Sequence, residues 1–443
     1  MISNLDIKAG IRAVLPILVS LAGSGLLAFL TQILLGHSLT VEDFGIVSTA
    51  VSVGVILTAA IGFGMPSVWL LIFGQKGWEA FPWIRQSLKF LVVWGPIVLS
   101  LSWIGLLYIF DNRRLLTTIG WLQAMVLMQV IVELLTAKLQ LEGRYLALSI
   151  WQMLPHLGRL LVAFAIYLSA EQSLDLVVRG YCAISVVLIA ASGVGLLSLT
   201  PKKMQLPGHP VQNDTLKEVS CKTPRYKDLI SLAWPYAGTA ALVMLYGRVD
   251  IVLLGSLVSP TAAGKFAIAT AFLLVAFLVP QAIYQKFLLP KIHRWFFRDW
   301  QKFISVYRFG CAAMTILGVA GTIGIYFGGE YVVNSVFGEK YEESGKILSL
   351  LSVCIVLRFV SSSIESPLMS GDYRKHRLYC QTVSTCISVP AAYVLILKYG
   401  IDGAIISRIF TELMLLAAYS YASSRYVLGM KAWSGWSLKL NQG

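Results

Sequence analysis

Eight charged residues interrupt stretches of the sequence that are otherwise apolar. Four are arginines and four are acids: Arg159, Arg248, Arg358 and Arg408, and Glu133, Asp250, Glu365 and Glu412. A charged side chain at the centre of a hydrocarbon layer costs at least about 2.5 kcal/mol, and such residues mark a functional pathway by default. An arginine can bind phosphate through two parallel hydrogen bonds, and a carboxylate can pair with a cation or carry a proton.

The spacing of these residues limits which of them can pair. Arg408 and Glu412 are four residues apart on one helix face, so they can form an ion pair. Such a self-neutralised pair could also serve only to hold two helices together. Arg358 and Glu365 share a face but lie about 10.5 Å apart along the helix axis, so each needs another partner or water.

Arg248, Asp250 and Arg159 have less obvious partners. Arg248 and Asp250 lie about 200° apart around a helix, so we expect them to do different jobs. Alternatively, Arg248 and Asp250 have no functional role and form a packing ion pair with a neighbouring span. Arg159 follows Pro155, which predicts a kink in its helix, and it has no acid within one turn.

The composition is that of a protein that crosses a membrane many times. Of 443 residues, 57% are hydrophobic and only 13% are charged, whereas soluble proteins keep about a quarter of their residues charged. The mean hydropathy is +0.74. Apolar runs of about 20 residues predict twelve transmembrane helices, with rough limits 13–35, 44–73, 86–110, 115–138, 146–168, 176–199, 229–257, 264–289, 304–328, 345–368, 377–398 and 402–424.

Basic residues are distributed unevenly between the loops on the two sides. With the N-terminus inside, the inner loops hold 25 of the 36 basic residues and the outer loops hold seven. Cytoplasmic loops carry an excess of Lys and Arg, so this distribution predicts that both termini are cytoplasmic. It also accounts for the net charge of +14 without nucleic acid as a partner.

The chain divides into two halves of similar length. We predict an N-terminal six-helix bundle, a basic cytoplasmic linker, a C-terminal six-helix bundle and a cytoplasmic tail, at 1–200, 201–228, 229–425 and 426–443. "LLGHSLTVEDFGIVSTA" aligns with "LLGSLVSPTAAGKFAIAT" at an offset of 219, which pairs Gly36 with Gly255 and Gly45 with Gly264. "LEGRYLAL" aligns with "MSGDYRKH" in the same way. Because six spans restore the orientation, these matches predict a parallel repeat.

The sequence lacks the motifs of common enzymes. It contains neither G-x-x-x-x-G-K-[ST] nor H-E-x-x-H, the patterns of an ATP-binding loop and a zinc protease. We therefore expect no cofactor, no metal and no enzymatic activity. His156 is the one histidine that could serve a membrane-embedded enzyme, and a packed or lumen-lining histidine is the plainer interpretation.

Three segments resemble a known family of transporters. "LTVEDFGIVSTAVSVGVIL", "VDIVLLGSLVSPTAAGKFAIAT" and "YGIDGAIISRIFTELM" resemble the polysaccharide exporters of the multidrug/oligosaccharidyl-lipid/polysaccharide exporter superfamily, in particular the Wzx-type O-antigen flippases. The resemblance covers nearly the whole chain, and Lys265 departs from the usual pattern.

The resemblance implies both a fold and a function. The fold would be all-α, with about twelve transmembrane helices in two six-helix bundles around a central cationic cavity. The protein would move an undecaprenyl-pyrophosphate-linked oligosaccharide across the bacterial inner membrane by alternating access, driven by a proton or sodium gradient. Four arginines would bind the pyrophosphate and four acids would couple the ion: Arg159, Arg248, Arg358 and Arg408, and Asp250, Glu133, Glu365 and Glu412. A glycan polymerase and a chain-length regulator are further expected partners of what would be a monomer.

Two other functions stay open at this stage. A multidrug or cation antiporter of the same superfamily would favour an acidic, aromatic cavity. A membrane-embedded enzyme of glycan assembly, such as a polymerase or an acyltransferase, would need a long outer loop or an intramembrane histidine with a partner.

Overall fold

The computed structural model describes residues 4–200, 204, 206, 224–288, 292, 295–296, 298–369, 373–429 and 433–436. The predicted linker lies mostly outside these residues, and so do the ends of the chain and part of the "MSGDYRKH" segment. The described residues form helices joined by short turns, as the all-α prediction requires.

Thirteen α-helices occur among the described residues. The first seven are α1 Asn4–Ser38, α2 Val41–Gly62, α3 Met65–Lys76, α4 Phe81–Ile109, α5 Arg113–Leu141, α6 Tyr145–Leu168 and α7 Leu174–Leu197. The others are α8 Tyr226–Leu257, α9 Pro260–Pro280, α10 Trp300–Phe337, α11 Glu342–Leu351, α12 Val353–Glu365 and α13 Arg374–Ser423.

Many of these helices are long and apolar enough to cross a membrane. The described residues contain nine such stretches, or ten if the bent pair Glu339–Leu351 and Val353–Met369 forms one span. Two stretches, Val41–Ile109 with 69 residues and Lys375–Leu428 with 54, are longer than one crossing, which takes about 20 residues. The chain is thus a multi-pass membrane protein, and the number twelve and the side of each terminus stay predictions.

The breaks within the two longest stretches fall at glycines. Gly64 has φ 67° between α2 and α3, Gly77 has φ 55° at the end of α3, and Gly400 has φ 58° within α13. A left-handed backbone is easy for glycine and costly for other residues, yet Phe63 beside the first break also has φ 45°. Helix α6 contains Pro155, and the kink that the sequence predicts there stays a prediction. The glycines therefore set where these helices turn.

The chain separates into two compact units. Unit 1 comprises Met1–Leu39 and Thr49–Met244, and unit 2 comprises Thr40–Ser48 and Leu245–Gly443. In unit 1, α1 packs on α6, and α5 packs on α3, α6 and α7; in unit 2, α10 packs on α11 and α12, and α12 packs on α13. The predicted domain limits of 1–200 and 229–425 stay predictions.

Two glycines that the sequence pairs as repeat equivalents meet in unit 2. A Cβ atom at Gly45 would lie 1.7 Å from the Pro260 carbonyl oxygen, and one at Gly264 would lie 2.7 Å from the Val41 carbonyl oxygen. The first turns of α2 and α9 therefore touch backbone to backbone. The ends of α1 and α8 and the starts of α2 and α9 also differ by 219 residues, although a parallel repeat over the whole chain stays a prediction.

This contact predicts that Gly45→Ala destabilises the protein. Overpacking a tight contact costs about 1–3 kcal/mol, and here the added methyl group would overlap the carbonyl oxygen of Pro260. The measurement is the unfolding temperature of the detergent-purified protein. Gly328→Ala in α10 is the matched control because a Cβ atom there meets nothing within 4 Å. Equal unfolding temperatures for the two variants would contradict the prediction.

Candidate functional site

Five residues of unit 2 form a buried polar cluster, which we call the arginine–carboxylate cluster. Tyr246 and Asp250 lie on α8, Arg358 lies on α12, and Arg408 and Glu412 lie on α13 after its break at Gly400. The surrounding helices are apolar enough to span a membrane. Three helices thus bring together four of the eight charged residues that the sequence singles out.

Glu412 is the centre of this cluster. Its side chain is 0% exposed, and its carboxylate lies 3.5 Å from Arg408 Nη2 and 3.7 Å from Arg358 Nη1. The Tyr246 hydroxyl donates a hydrogen bond to Glu412 Oε1. The i,i+4 pairing of Arg408 with Glu412 is the one that the spacing predicts, whereas the pairing with Arg358 joins two helices.

Tyr246 links the two arginines. Its ring lies 4.8 Å from the Arg408 guanidinium carbon and 5.7 Å from that of Arg358, close enough for cation–π attraction to both. Arg408 Nη1 donates a hydrogen bond to the Tyr246 carbonyl oxygen at 3.0 Å, and Arg358 Nη1 donates one to the Tyr246 hydroxyl at 3.3 Å. Sequence reasoning missed this residue; its place two residues before Arg248 in "YGRVD" was the available signal.

Asp250 completes the cluster on the far side of Arg408. Its carboxylate lies 3.9 Å from Arg408 Nη1 and accepts a hydrogen bond from Ser407 Oγ at 3.4 Å. Arg248 lines the same narrow crevice as Asp250 and Arg408. The two residues of "RVD" therefore border one crevice, although they are two positions apart on the helix.

Glu365 lies outside the arginine–carboxylate cluster. Its carboxylate pairs with Arg377 Nε near the start of α13, so it finds a partner other than Arg358, as the seven-residue spacing requires. The structure therefore separates Glu365 from the other two acids of unit 2 that the sequence selects.

Lys265, the position that departs from the resemblance, also lies apart from the cluster. It forms an ion pair with Glu343 on α11, with a distance of 2.5 Å between Nζ and Oε2. The Glu343 side chain is largely exposed. The unusual lysine thus contributes a link between α9 and α11.

Arg159 in unit 1 has a different environment. Its guanidinium contacts His156 Nδ1 at 3.0 Å and the Pro155 carbonyl oxygen at 3.2 Å, and buried Tyr181 of α7 lies near. A guanidinium has only donors, so His156 Nδ1 must accept this hydrogen bond. Within the part of the chain that the structure describes, Arg159 has no carboxylate in an ion pair.

Glu133, the fourth acid, lies in unit 1 next to the break between α2 and α3. Its Oε1 accepts a hydrogen bond from Gln129 Nε2 at 3.4 Å, and a Cβ atom at Gly62 would lie 3.9 Å from its Oε2. Irregular backbone at membrane depth is typical of ion sites in transporters. The structure thus places this carboxyl group beside a discontinuous helix.

No group of three or more His, Cys, Asp or Glu side chains that could hold a metal ion occurs in the residues for which the structure gives a placement. Arg358 is the most exposed charged member of the arginine–carboxylate cluster, with 31% of its side chain accessible, against 7% for Arg408. It is the charged member with the largest accessible surface.

These features define a class of protein: a multi-pass α-helical membrane protein with ion clusters inside its spans. Residues 12–296 match the family described as polysaccharide biosynthesis protein, and the chain belongs to that family. Over 206 residues it is 26% identical to the capsular polysaccharide biosynthesis protein CapF of Staphylococcus aureus. That match covers 45% of this chain and 51% of CapF, so it spans about half the length of this curated relative.

Two solved structures show the same fold. The lipid II flippase MurJ, in an inward closed conformation, superposes with a TM-score of 0.68 at 12% identity. The match covers 91% of this chain and 87% of the MurJ chain. An inward-facing multidrug resistance MATE family transporter of the MOP superfamily superposes with a TM-score of 0.69 at 15% identity. That match covers 90% of this chain and 94% of the transporter. At these identities the likeness shows the fold alone.

Proposed function

We propose that the protein is a flippase that moves an undecaprenyl-pyrophosphate-linked oligosaccharide across the bacterial inner membrane by alternating access. The observation that carries the proposal is Arg358, an intramembrane arginine that is partly exposed at the edge of the otherwise buried arginine–carboxylate cluster. Membership of the polysaccharide biosynthesis family supports a glycan as the cargo. The fold shared with a lipid II flippase supports the mode of action.

The proposed substrate suits arginine chemistry. A pyrophosphate between lipid and sugar carries its charge at the lipid–sugar junction, where a guanidinium in an apolar setting can bind it bidentately. Arg358 and Arg159 are the first choices for this role because each combines a guanidinium with apolar helices around it. Arg408 is a more remote candidate, since it is 7% exposed and bridges two carboxylates. Arg248 stays a candidate at the crevice that it shares with Asp250 and Arg408.

The four acids are the proposed ion-coupling groups, and their surroundings differ. Glu133 lies beside a helix break, and Glu412 and Asp250 lie among arginines. Glu365 is already held by Arg377 and is the weakest candidate. A proton or sodium gradient would supply the driving force, and a glycan polymerase and a chain-length regulator would act with the transporter on the same glycan.

A cation antiporter is the principal alternative because a MATE family transporter shares the fold. Such a protein needs a carboxylate that is available to a cation. In unit 2, Asp250 and Glu412 each lie within 4.0 Å of an arginine nitrogen, which favours anionic cargo. Glu133 is the one of the four acids that the structure leaves without an ion pair in its described residues.

The test is export in living cells. We expect the wild-type chain to restore surface glycan in bacterial strains whose own flippase gene is deleted, when the strain makes a matching lipid-linked glycan. Surface glycan is measured by immunoblot against a vector-only control. The antiporter alternative predicts instead a gain in resistance to cationic drugs in a strain without efflux pumps. If the wild-type chain restores export in none of a panel of strains that make different lipid-linked glycans, the flippase proposal is contradicted.

A further inference from the structure

The polar partners that the structure gives Arg358 all belong to the protein itself. Its Nη1 lies 3.7 Å from Glu412 Oε2 and donates to the Tyr246 hydroxyl at 3.3 Å. Its guanidinium carbon lies 5.6 Å from the centre of the Phe277 ring. A phosphate that binds this guanidinium would compete with Glu412 for the positive charge of Arg358, whichever of the five N–H groups it uses.

The charged groups of Arg358 and Glu412 are not in direct hydrogen-bond contact. Their 3.7 Å separation exceeds the length of a direct hydrogen bond, which is about 2.7–2.9 Å for a charged N–H and a carboxylate. Within the described part of the chain, Glu412 Oε2 has no hydrogen-bond partner. Arg358 is 31% exposed while Glu412 is 0% exposed, so an anion would meet the arginine before the acid.

The charges of the cluster balance before an anion arrives. Arg358 and Arg408 carry two positive charges, and Asp250 and Glu412 carry two negative ones; Arg248 lies outside the cluster, at the crevice beside Asp250 and Arg408. An anion on Arg358 leaves Glu412 with Arg408 alone, and Arg408 is shared with Asp250. An uncompensated buried charge is strongly unfavourable, so the added negative charge needs neutralisation within the cluster.

Glu412 is better placed than Asp250 to accept that neutralising proton. The titratable and charged groups that face it are Tyr246 and Asp250 on α8, Cys354 and Arg358 on α12, and Arg408 on its own helix. Asp250 keeps both Arg408 and the Ser407 hydroxyl when an anion binds. Glu412 is the carboxylate that loses an arginine.

We propose that a phosphate-bearing anion replaces Glu412 as the counterion of Arg358, and that Glu412 takes up one proton from water as it does so. The inference rests on the proposed function and specifies its coupling. The carboxylate becomes a carboxylic acid, and no other bond changes. The Tyr246 hydroxyl, which now donates to Glu412, can accept from the protonated acid because a phenol is both donor and acceptor. Release of the anion returns the proton and restores the ion pair.

The test counts protons on binding. The purified full-length protein is titrated with geranyl pyrophosphate in a calorimeter, at one pH, in two buffers of different ionisation enthalpy. Glu412→Gln mimics the protonated acid, and Glu343→Gln is the matched control because Glu343 pairs with Lys265 outside the cluster. We expect the wild type and Glu343→Gln to take up about one proton more per probe bound than Glu412→Gln. Protonation of the probe itself cancels in this difference.

The possible results separate this inference from the function on which it rests. Equal proton uptake by wild type and Glu412→Gln, with binding retained, overturns the inference and leaves the proposed function in place. No binding to wild type or to either variant overturns Arg358 as the anion site, and with it the site of the proposed function. Binding to Glu412→Gln alone supports the competition between Glu412 and the anion.

A second measurement needs no variant and decides the question if Glu412→Gln does not fold. Sulfate does not titrate between pH 5 and 8. Because binding takes up a proton, the affinity of the wild-type protein for sulfate should rise as the pH falls, by up to about tenfold per pH unit. An affinity that is constant over this range overturns the inference.

Discussion

Replacement of Arg408 by alanine is expected to lower the free energy of unfolding of the purified protein by about 3–5 kcal/mol. Arg408 is 7% exposed and lies 3.9 Å from Asp250 and 3.5 Å from Glu412. It also donates to the Tyr246 carbonyl oxygen and lies against the ring of that tyrosine. Its loss leaves two carboxylates with Arg358 as the remaining cation of the cluster. The measurement is denaturant-induced unfolding in detergent micelles.

Two further variants show whether the loss comes from charge. Arg425→Ala is the matched control because this arginine is exposed near the end of α13, and surface changes usually alter stability by less than about 0.5 kcal/mol. The double variant Arg408→Ala/Glu412→Gln removes one of the unpaired charges, so it should be more stable than Arg408→Ala alone. If Arg408→Ala unfolds like Arg425→Ala, the cluster does not stabilise unit 2.

Arg408 and Arg358 show which contacts can be predicted from the sequence and which cannot. The pair Arg408–Glu412 follows from a spacing of four on one helix, a relation that any α-helix enforces. The partners of Arg358 are Tyr246 and Glu412, on two other helices. Which side chains meet across helices depends on the packing of α8, α12 and α13, and spacing along one helix does not contain that information. The same holds for Glu365 and Arg377.

The positions of the helix breaks were also beyond the reasoning from sequence. The sequence predicts a kink at Pro155, because proline removes a backbone hydrogen bond, and this kink stays a prediction for α6, which contains Pro155. The chain turns at Gly64 and Gly400, which have positive φ angles. Many of the 37 glycines lie within helices, so residue type alone does not identify those at which a helix ends. The helical class and the presence of charges inside spans, in contrast, follow from composition.

The substitution of Arg358 by alanine should reduce glycan export by a factor of about 10–100. A hydrogen bond to a charged group contributes about 1.5–3 kcal/mol, which corresponds to that factor in affinity. Alanine removes the guanidinium that is the exposed end of the cluster, and it also leaves Glu412 with one arginine. The measurement is the initial rate of surface glycan appearance in a flippase-deleted strain that the wild-type chain complements, normalised to the amount of protein in the membrane.

Lysine at this position distinguishes the role of charge from that of geometry. Arg358→Lys keeps the positive charge for Glu412 but cannot form two parallel hydrogen bonds with a phosphate, so its export should lie between wild type and Arg358→Ala. Arg113→Ala, an exposed arginine at the start of α5, should export like wild type. Full export by Arg358→Ala would remove this residue from the substrate path. Export by Arg358→Lys as low as that of alanine, at equal protein level, would mean that the fork of the guanidinium, rather than its charge, is what the substrate requires.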